Sequence, residues 1–545
     1  MRLDTREAAS KFAAHQDALL AEEALLAQFS DEQTLRLSQN GCQPGPYLEA
    51  RTTQGALRDP YRKLQRELGF SPLNPPLRLR RILSNAPLRD GIKICPVPLV
   101  LPQKEILHLN AGSRQIARAL ARFFADVVLG KAEICRHEVV PHEIVEIAAR
   151  LTPHTLRELR QMWNNKTANH IVFVCGPDLM RAPSGEWRVI EVNVSKSSED
   201  MGGVADGLFL HQAYKRALQG RRIGSLDRLS GMVDVLVISD VLLHFLHRSG
   251  AGYVGTGDME HVSALSNHYF NKRRPTKKDC EDLRNFVLRH LAKEQIAPFT
   301  RALDRRGSGL DFDCEVRQQI LAGENLGAFW GELSPQLFTA LDTKCANPPG
   351  VGAMLSNKIL LPYIPRMIRY YLRQAPILAF QPTRALQVQP ADNKKGFETR
   401  PASALLEEYP AGWHDQERQV FKRVDDCGGS GIFFPGDTHG NRELAAAVRG
   451  CHPQHLSDPG YYVAQPFLCA SRLGRWAVDV RPISYWVGDG GAVSTDTPWG
   501  RARAIQQNYA NKDKLLNVAR GARELLVISD QPGQFYKSPR RSVTI

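Results

Sequence analysis

Apolar positions recur with two different periods along the chain. Helical spacing of apolar residues predicts helices over residues 6–40, 108–130 and 142–164. Short apolar runs bounded by Gly, Pro, Ser or Asp predict strands instead, at the two arms of a hairpin within 171–196 and at 418–424, 461–468 and 476–487. The chain therefore alternates helical regions with strand-rich regions.

The hairpin carries the most informative polar residues. If it is centred between Ser184 and Gly185, Asp178 lies directly opposite Glu191, and Asn193 shares the face of Glu191. Opposed like charges in a sheet repel. A divalent cation such as Mg²⁺, which prefers oxygen ligands, would relieve that repulsion. The alternative is an ordinary polar surface of a sheet.

The length of 545 residues predicts two to four domains or lobes. Changes of pattern suggest these divisions: a helical N-terminal region at 1–80, a part containing the hairpin at 81–235, a mostly helical insertion at 236–340, a second lobe at 341–528 and a loose tail at 529–545.

Composition indicates a soluble globular protein, with 43% apolar and 23% charged residues. Apolar runs fall short of the roughly 20 residues that a membrane span needs, and the first residues show no apolar signal core. The ten cysteines form no CxxC pair, which argues against a zinc site or a disulfide framework. We therefore expect a protein of the reducing cytoplasm.

The net charge of +14 admits two kinds of anionic ligand, nucleic acid and a phosphate-rich small molecule. The basic residues are dispersed in short clusters at 78–81, 272–278 and 539–542, and no nucleic-acid-binding motif accompanies them. A solvated surface is the simplest interpretation, and nucleic-acid binding is kept as an alternative function.

A glycine-rich turn between two strand-like runs predicts an anion site. In the turn, Gly428, Gly429 and Gly431, with Ser430 among them, let backbone N–H groups converge because no Cβ blocks the approach. Lys422 lies in the preceding strand and can reach the same anion. A plain hairpin turn is the alternative.

Three further positions have side chains or backbone groups suited to a nucleotide. The backbone around Gln465, in a short apolar strand, suits an adenine hinge. Asp479 and Arg481 share one face of a strand, where the arginine can clamp a phosphate or carboxylate. Lys358 follows Ser356 and Asn357 at a predicted helix start, where a cation is unfavourable unless an anion also binds. Solvent-exposed surface is the alternative for both charged positions.

This combination of motifs resembles the ATP-grasp family. The spacing Asp-x12-Glu-x-Asn at 178, 191 and 193 is similar to the magnesium hairpin of that family, but here the hairpin precedes the glycine-rich turn. That inverted order resembles the circularly permuted ATP-grasp proteins of type 2, which the segments GPDLMRAPSGEWRVIEVN, VFKRVDDCGGSGI, YYVAQPFL and AVDVRP also match. The resemblance spans about residues 80 to 525, with a gap at 252–335.

The resemblance implies a fold and an activity. The fold is α+β, a circularly permuted ATP-grasp with an added helical N-terminal region and a helical insertion. The activity is ATP-dependent joining of a carboxylate to an amine through an acylphosphate, with ATP and Mg²⁺ as cofactors and small molecules, amino acids or peptides among them, as substrates.

Site roles follow from the same resemblance. The magnesium ligands are Asp178, Glu191 and Asn193; Arg481, Lys422 and, as a second clamp arginine, Arg503 act in catalysis; and ATP is bound by Lys358, Lys422, Gly428, Gly429, Ser430, Gly431 and Gln465. A non-catalytic nucleotide-binding relative or a phosphotransferase is the main alternative.

Overall fold

The computed structural model combines helices with mostly antiparallel sheets, an α+β arrangement. It describes residues 47–52, 54, 56–68, 71–77, 80, 93–150, 155–195, 254–256, 328–330, 338–339, 344–345, 348–388, 419–424, 431–433, 460–488, 491–494, 498–504 and 522–530. The helix predicted over 6–40 lies outside these residues, and so do most of the predicted insertion at 236–340 and of the tail.

The longest helix packs against the largest sheet through a continuous apolar face. The helices are α1 (Asp59–Leu68), α2 (Gln103–Phe124), α3 (Glu133–Arg136), α4 (His142–Arg150), α5 (Leu156–Met162), α6 (Val351–Leu355) and α7 (Ile364–Leu372). Within α2, Ile106, Leu109, Ile116 and Leu120 recur at helical spacing and are fully buried. Since these side chains belong to the main hydrophobic core, α2 anchors the sheet that carries the hairpin.

Two predicted helices have different bounds in the structure. The helix predicted over 108–130 begins earlier, at Gln103, and α2 passes into a π-helical turn, Ala125–Leu129, before Gly130. The helix predicted over 142–164 is divided into α4 and α5. Thr155 starts α5 with a capping box, in which Glu158 N donates to its hydroxyl at 3.3 Å.

Strands between residues 99 and 529 form the sheets. They are β1 (Leu99–Leu101), β2 (Val172–Arg181), β3 (Trp187–Ser195), β4 (Val254–Thr256), β5 (Ala328–Trp330), β6 (Lys344–Cys345), β7 (Ala379–Phe380), β8 (Arg384–Val388), β9 (Gln419–Arg423), β10 (Ile432–Phe433), β11 (Gly460–Pro466), β12 (Ser471–Leu473), β13 (Trp476–Arg481), β14 (Ser484–Val487), β15 (Ala492–Ser494), β16 (Trp499–Ala504), β17 (Arg523–Leu525) and β18 (Val527–Ser529). The strand predicted over 476–487 is therefore two strands, β13 and β14, separated by Pro482.

Two sheets supply the residues of interest; the smaller is antiparallel, and the larger is antiparallel except for the pairing of β3 with β7. The larger has nine strands in the order β15-β14-β2-β13-β16-β17, with β3 beside β2, β12 beside β13 and β7 beside β3. The smaller has the order β10-β9-β11-β8. Because β3 lies along one edge of β2 while β13 and β14 lie along the other, the hairpin sits between late segments of the chain.

The hairpin of β2 and β3 contains a bulge that the sequence pattern does not reveal. Asp178 pairs with Glu191 as predicted, but the next residue, Leu179, pairs with Val189, so Ile190 is an extra residue on β3. The predicted centre between residues 184 and 185 is therefore wrong by half a residue near the turn, where Ala182 N donates to Glu186 O. The bulge restores the predicted pairing further along the hairpin.

The turn end of the hairpin is held by a buried ion network formed by Arg181, Glu49 and Glu105, which we call the arginine brace. Arg181 Nε lies 3.0 Å from Glu49 Oε1, and Arg181 Nη1 lies 2.6 Å from Glu105 Oε1. The guanidinium also lies 4.7 Å from the ring centroid of Tyr47 and 4.2 Å from that of Trp187. The brace thus ties β2 to α2 and to the segment before α1.

That segment joins the sheet as well. Glu49 N donates to Arg472 O at 2.8 Å, and Arg472 N donates to Tyr47 O at 2.8 Å, so the segment extends the sheet beside β12. Burial raises the pKa of the Glu49 carboxyl, and the Arg181 guanidinium opposes that rise. The brace therefore depends on the arginine charge.

Among the described residues, no helix combines the length and the apolar character that crossing a membrane requires.

Replacing the brace arginine should destabilise the protein strongly. Arg181→Ala removes the counter-charge of the Glu49 and Glu105 carboxylates. We therefore expect the free energy of unfolding to fall by about 3–5 kcal/mol. Arg188→Ala is the matched control on the same hairpin, because Arg188 pairs with Glu186 at the surface. Its cost should stay within about 1 kcal/mol. Urea denaturation measures both, and equal losses would contradict a special role for the brace.

Candidate functional site

The polar face of the hairpin brings together the three residues that the sequence predicts as metal ligands. Asp178 is opposite Glu191, and Asn193 is opposite Gly176. Asp178 is buried, whereas Glu191 and Asn193 are half-buried. Two carboxylates and one carboxamide therefore lie on one patch of the sheet, with basic side chains from four other segments of the chain around them.

Arg481 clamps Asp178 with two hydrogen bonds. Its Nε donates to Asp178 Oδ1 at 2.5 Å and its Nη2 donates to Oδ2 at 3.1 Å. The side chain passes over Gly176, where an added Cβ would lie 2.7 Å from Arg481 Cδ. The glycine is therefore needed for this close approach. The predicted common face of Arg481 and Asp479 fits, because a second arginine links Asp479 to the same carboxylate.

That second arginine is Arg501. Its Nη2 lies 3.0 Å from Asp178 Oδ2, and its Nε donates to Asp479 Oδ1 at 3.0 Å. Arg501 is directly opposite Asp479 in the pairing of β13 with β16, whereas Arg503, the residue suggested by the sequence, is opposite Ala477 and half-buried. The structure thus brings Arg501 to the acidic patch in the place expected for Arg503.

Lys358 reaches the patch from the chain segment before α7. The segment begins as a 3-10 helix, Lys358–Tyr363, and the Asn357 side chain caps it by accepting from Ile359 N at 3.0 Å. The Ser356 hydroxyl accepts from Val194 N at 2.9 Å, which fixes the segment against β3. Lys358 Nζ then lies 3.3 Å from Glu191 Oε1.

Lys422 and Gln465 meet the hairpin at its bulge. Lys422 Nζ donates to the carbonyl of Ile190 at 2.9 Å, and Gln465 Nε2 donates to the same carbonyl at 3.1 Å. Gln465 Nε2 also donates to Thr383 Oγ1 at 2.9 Å. The buried Gln465 side chain therefore joins the smaller sheet to the larger one, a contact that the sequence gives no sign of.

The glycine-rich turn is described only at its end. Gly431 has a φ of +62°, and Arg423 N donates to its carbonyl at 2.8 Å, which closes the turn next to Lys422. The predicted anion-binding residues Gly428, Gly429 and Ser430 lie outside the described residues.

The basic residues control how the carboxyl groups ionise. Burial would raise the pKa of Asp178, but the guanidinium groups of Arg481 and Arg501 outweigh it and hold that pKa well below its usual range. Burial likewise opposes ionisation of Glu191, and the lysines at 358 and 422 outweigh it, so its pKa is also lowered.

Two buried groups keep the shift that burial imposes. Burial raises the pKa of Asp479 to about 6. Arg501 offsets that rise only in part, since Asp479 shares this arginine with Asp178. Burial also lowers the pKa of Lys422, and the attraction of Glu191 offsets this only in part. The patch therefore holds both acidic and basic groups away from their usual titration ranges.

The donor set fits a hard divalent cation that takes further ligands from a substrate. Asp178, Glu191 and Asn193 offer oxygen atoms, the ligands that Mg²⁺ prefers. The Asn193 Nδ2 atom is buried and has no hydrogen-bond partner among the described residues, so no such contact fixes this end of the amide. No group of three His, Cys, Asp or Glu side chains suited to a metal occurs in the described part of the chain. A cation here would depend on the amide and on substrate oxygens.

A small apolar cluster adjoins the charged residues. It consists of Met180, Ala470 and Ala477, against which Ile190 and Leu468 pack. Met180 follows Asp178 by two positions on β2 and so shares its face. A buried apolar cluster thus lies beside the bulge that Lys422 and Gln465 contact.

A comparison with known families matches the part of the chain that contains the hairpin. Residues 98–203, which include α2 and the hairpin, match the family described as circularly permuted ATP-grasp type 2. Over this segment the chain is similar to circularly permuted ATP-grasp proteins of type 2. The family resemblance drawn from the motifs is confirmed over these residues, and the mixed helices and antiparallel sheets agree with the predicted α+β class.

Similar proteins extend the likeness beyond the matched segment. An uncharacterized protein of Mycobacterium leprae is 24% identical over 524 residues, covering 87% of this chain and 83% of its own length. One from Synechocystis is 22% identical over 415 residues, 72% of this chain and 76% of its own. A Frankia alni protein named "Putative glutamate--cysteine ligase 2-3" is 26% identical over 485 residues, 81% of this chain but 50% of its own.

The lowered pKa of Asp178 predicts a pH-dependent contribution to stability. A carboxyl whose folded pKa lies below its unfolded value of about 4 stabilises the fold above that pH, and the contribution is lost as the pH falls. We expect the difference in unfolding free energy between the wild type and Asp178→Asn to be largest above pH 5 and to shrink towards pH 3. Urea denaturation across this range measures it, and a constant difference would contradict the assigned ion pairs.

Proposed function

We propose that the protein is an ATP-dependent carboxylate–amine ligase that forms an amide or peptide bond through an acylphosphate. One observation supports this above the others. Oxygen ligands from one hairpin and four basic side chains, Lys358, Lys422, Arg481 and Arg501, converge on one patch between two sheets. That pattern suits the phosphates of a nucleotide with a divalent cation.

The nucleotide would lie between the smaller sheet and the hairpin. The half-buried Ile190 and Leu468, which pack on the apolar cluster around Met180, would contact the adenine ring near the strand that carries Gln465. Lys358 and Lys422 would hold the phosphates, since both already lie at the rim of the patch. The resemblance to ATP-grasp proteins assigns the exclusion of water from the phosphates to the glycine-rich turn.

Magnesium, when bound by Asp178, Glu191 and Asn193, would offset the phosphate charge and polarise the phosphoryl group. Both carboxyl groups stay ionised because neighbouring cations lower their pKa. Magnesium would take the place of the guanidinium groups at Asp178. Arg481 and Arg501 would then be available to the transferred phosphoryl group.

The reaction needs no nucleophilic side chain. The substrate carboxylate attacks the γ-phosphoryl group, which releases ADP and forms an acylphosphate. An amine then attacks the acyl carbon, inorganic phosphate leaves, and the amine proton is lost to solvent. Arg481 and Arg501 stabilise the charge that develops on the phosphoryl oxygens.

The substrate class is a matter for experiment. The Frankia alni relative is named for joining glutamate to cysteine, but the aligned region is 50% of that protein. Amino acids are therefore the first acids and amines to test, in pairs that include glutamate with cysteine.

A substrate screen tests the proposed function. The purified protein is given ATP, Mg²⁺ and mixtures of carboxylic acids with amines, and ADP release is followed with mass spectrometry of the products. Hydroxylamine in place of the amine should give a hydroxamate, which identifies an activated acyl group. ATP binding without ADP release in any mixture would favour a nucleotide-binding scaffold, and a stable phosphorylated product would favour a phosphotransferase.

Glu191→Gln should abolish Mg²⁺-dependent ADP release while the fold persists, because the amide is a much weaker ligand for the cation. Glu186→Gln is the matched control on the same hairpin, since Glu186 is half-exposed and pairs only with Arg188 among the ion pairs described. Circular dichroism checks the fold of both variants. Turnover retained by Glu191→Gln would remove this carboxylate from the mechanism.

The two arginines of β16 provide a second comparison. Arg501→Gln should lower kcat by at least about 100-fold, because it removes a donor to the transferred phosphoryl group. Arg503→Gln should leave kcat near the wild-type value, since Arg503 lies opposite Ala477, two residue pairs beyond the pair of Arg501 with Asp479. The reverse order of losses would restore Arg503 as the clamp residue that the sequence suggests.

A further inference from the structure

Trp499 contacts both clamp arginines. It is directly opposite Arg481 in the pairing of β13 with β16, and it precedes Arg501 by two positions on the same face. The guanidinium carbons of Arg481 and Arg501 lie 5.0 Å and 5.4 Å from its ring centroid. Both distances fall within the range of a cation–π interaction.

The indole ring is anchored away from the acidic patch. Its Nε1 donates a hydrogen bond to Glu524 Oε2 on β17. Glu524 is buried, its backbone N–H donates to Lys93 O at 2.9 Å and its carbonyl accepts from Cys95 N at 2.7 Å. The position of the ring is thus set by the edge of the sheet rather than by the arginines.

Trp499 differs from a tryptophan that fills the core. Trp476, on the neighbouring strand, is buried and belongs to the main hydrophobic core, with Arg475 and Arg523 near its ring. Trp499 is half-buried and is not a member of the hydrophobic clusters found among the described residues. The charged groups of Arg481, Arg501 and Glu524 lie against its ring.

We propose that Trp499 is a positioning residue for the two clamp arginines. The inference rests on the proposed function, in which Asp178 exchanges its guanidinium partners for magnesium and the arginines turn to the phosphates. Long arginine side chains released from a carboxylate gain many conformations. The anchored indole ring retains Arg481 and Arg501 beside the phosphates during that exchange.

Nucleotide binding without turnover tests the proposal. Isothermal titration calorimetry with Mg²⁺ compares AMP with a non-hydrolysable ATP analogue, in the wild type, Trp499→Leu and Trp499→Phe. For Trp499→Leu we expect affinity for the ATP analogue to fall about tenfold and affinity for AMP to change little. Trp499→Phe retains an aromatic face and should recover most of the loss.

Trp476→Leu is the matched control, because Trp476 also has two arginines near its ring but neither is a clamp arginine. It should lower thermal stability without a selective loss for the ATP analogue. If Trp499→Leu does not fold, Trp499→Met is measured in the same way. Equal losses for AMP and the ATP analogue, or no loss, would overturn the positioning role. A wild type that binds no ATP analogue would instead overturn the proposed function itself.

Discussion

The pairing of Asp178 with Glu191 across the hairpin is the constraint on which the rest of the site depends. Two carboxylates in register on one face of a sheet are stable only if positive charge surrounds them. Two arginines lie on one side of the pair and two lysines on the other. Each arrives from a different strand or helix, so the folding of four distant segments is coupled to one pair of acids.

The proposed function gives this charge balance a second arrangement. In the structure, guanidinium groups neutralise Asp178, and an ammonium group lies beside Glu191. In the proposed liganded state, a divalent cation would take the place of these groups at the carboxylates, and the phosphates would pair with the released arginines and lysines. Such an exchange would keep the buried acids paired throughout, which avoids the large cost of an isolated buried charge. The proposal thus accounts for four basic side chains around two carboxylates.

The sequence predicts local features of this site well and long-range contacts poorly. A hairpin centred between Ser184 and Gly185 opposes Asp178 and Glu191 as the structure does, although the structure reaches that pairing through a bulge. Alternation along β13 places Arg481 on the same face as Asp479. The choice between Arg501 and Arg503 depends on the register of β16 against β13, and no local pattern sets that register. The contact of Gln465 with Ile190 joins residues 275 positions apart, so the sequence pattern gives no warning of it.

The spacing between Asp178 and Glu191 fits two different hairpins, one with a bulge at Ile190 and one without. Twelve residues separate Asp178 from Glu191, and the same number fits a hairpin without a bulge whose turn is one residue longer. In that alternative hairpin Ile190 would be paired with Leu179. Its carbonyl would then not be the bulge carbonyl that accepts from Lys422 and Gln465. Gly185, with a φ of +88°, favours the tighter turn and therefore the bulged hairpin. The glycine at the turn thus affects the position of Lys422, because the turn length decides whether Ile190 forms the bulge whose carbonyl accepts from Lys422 Nζ.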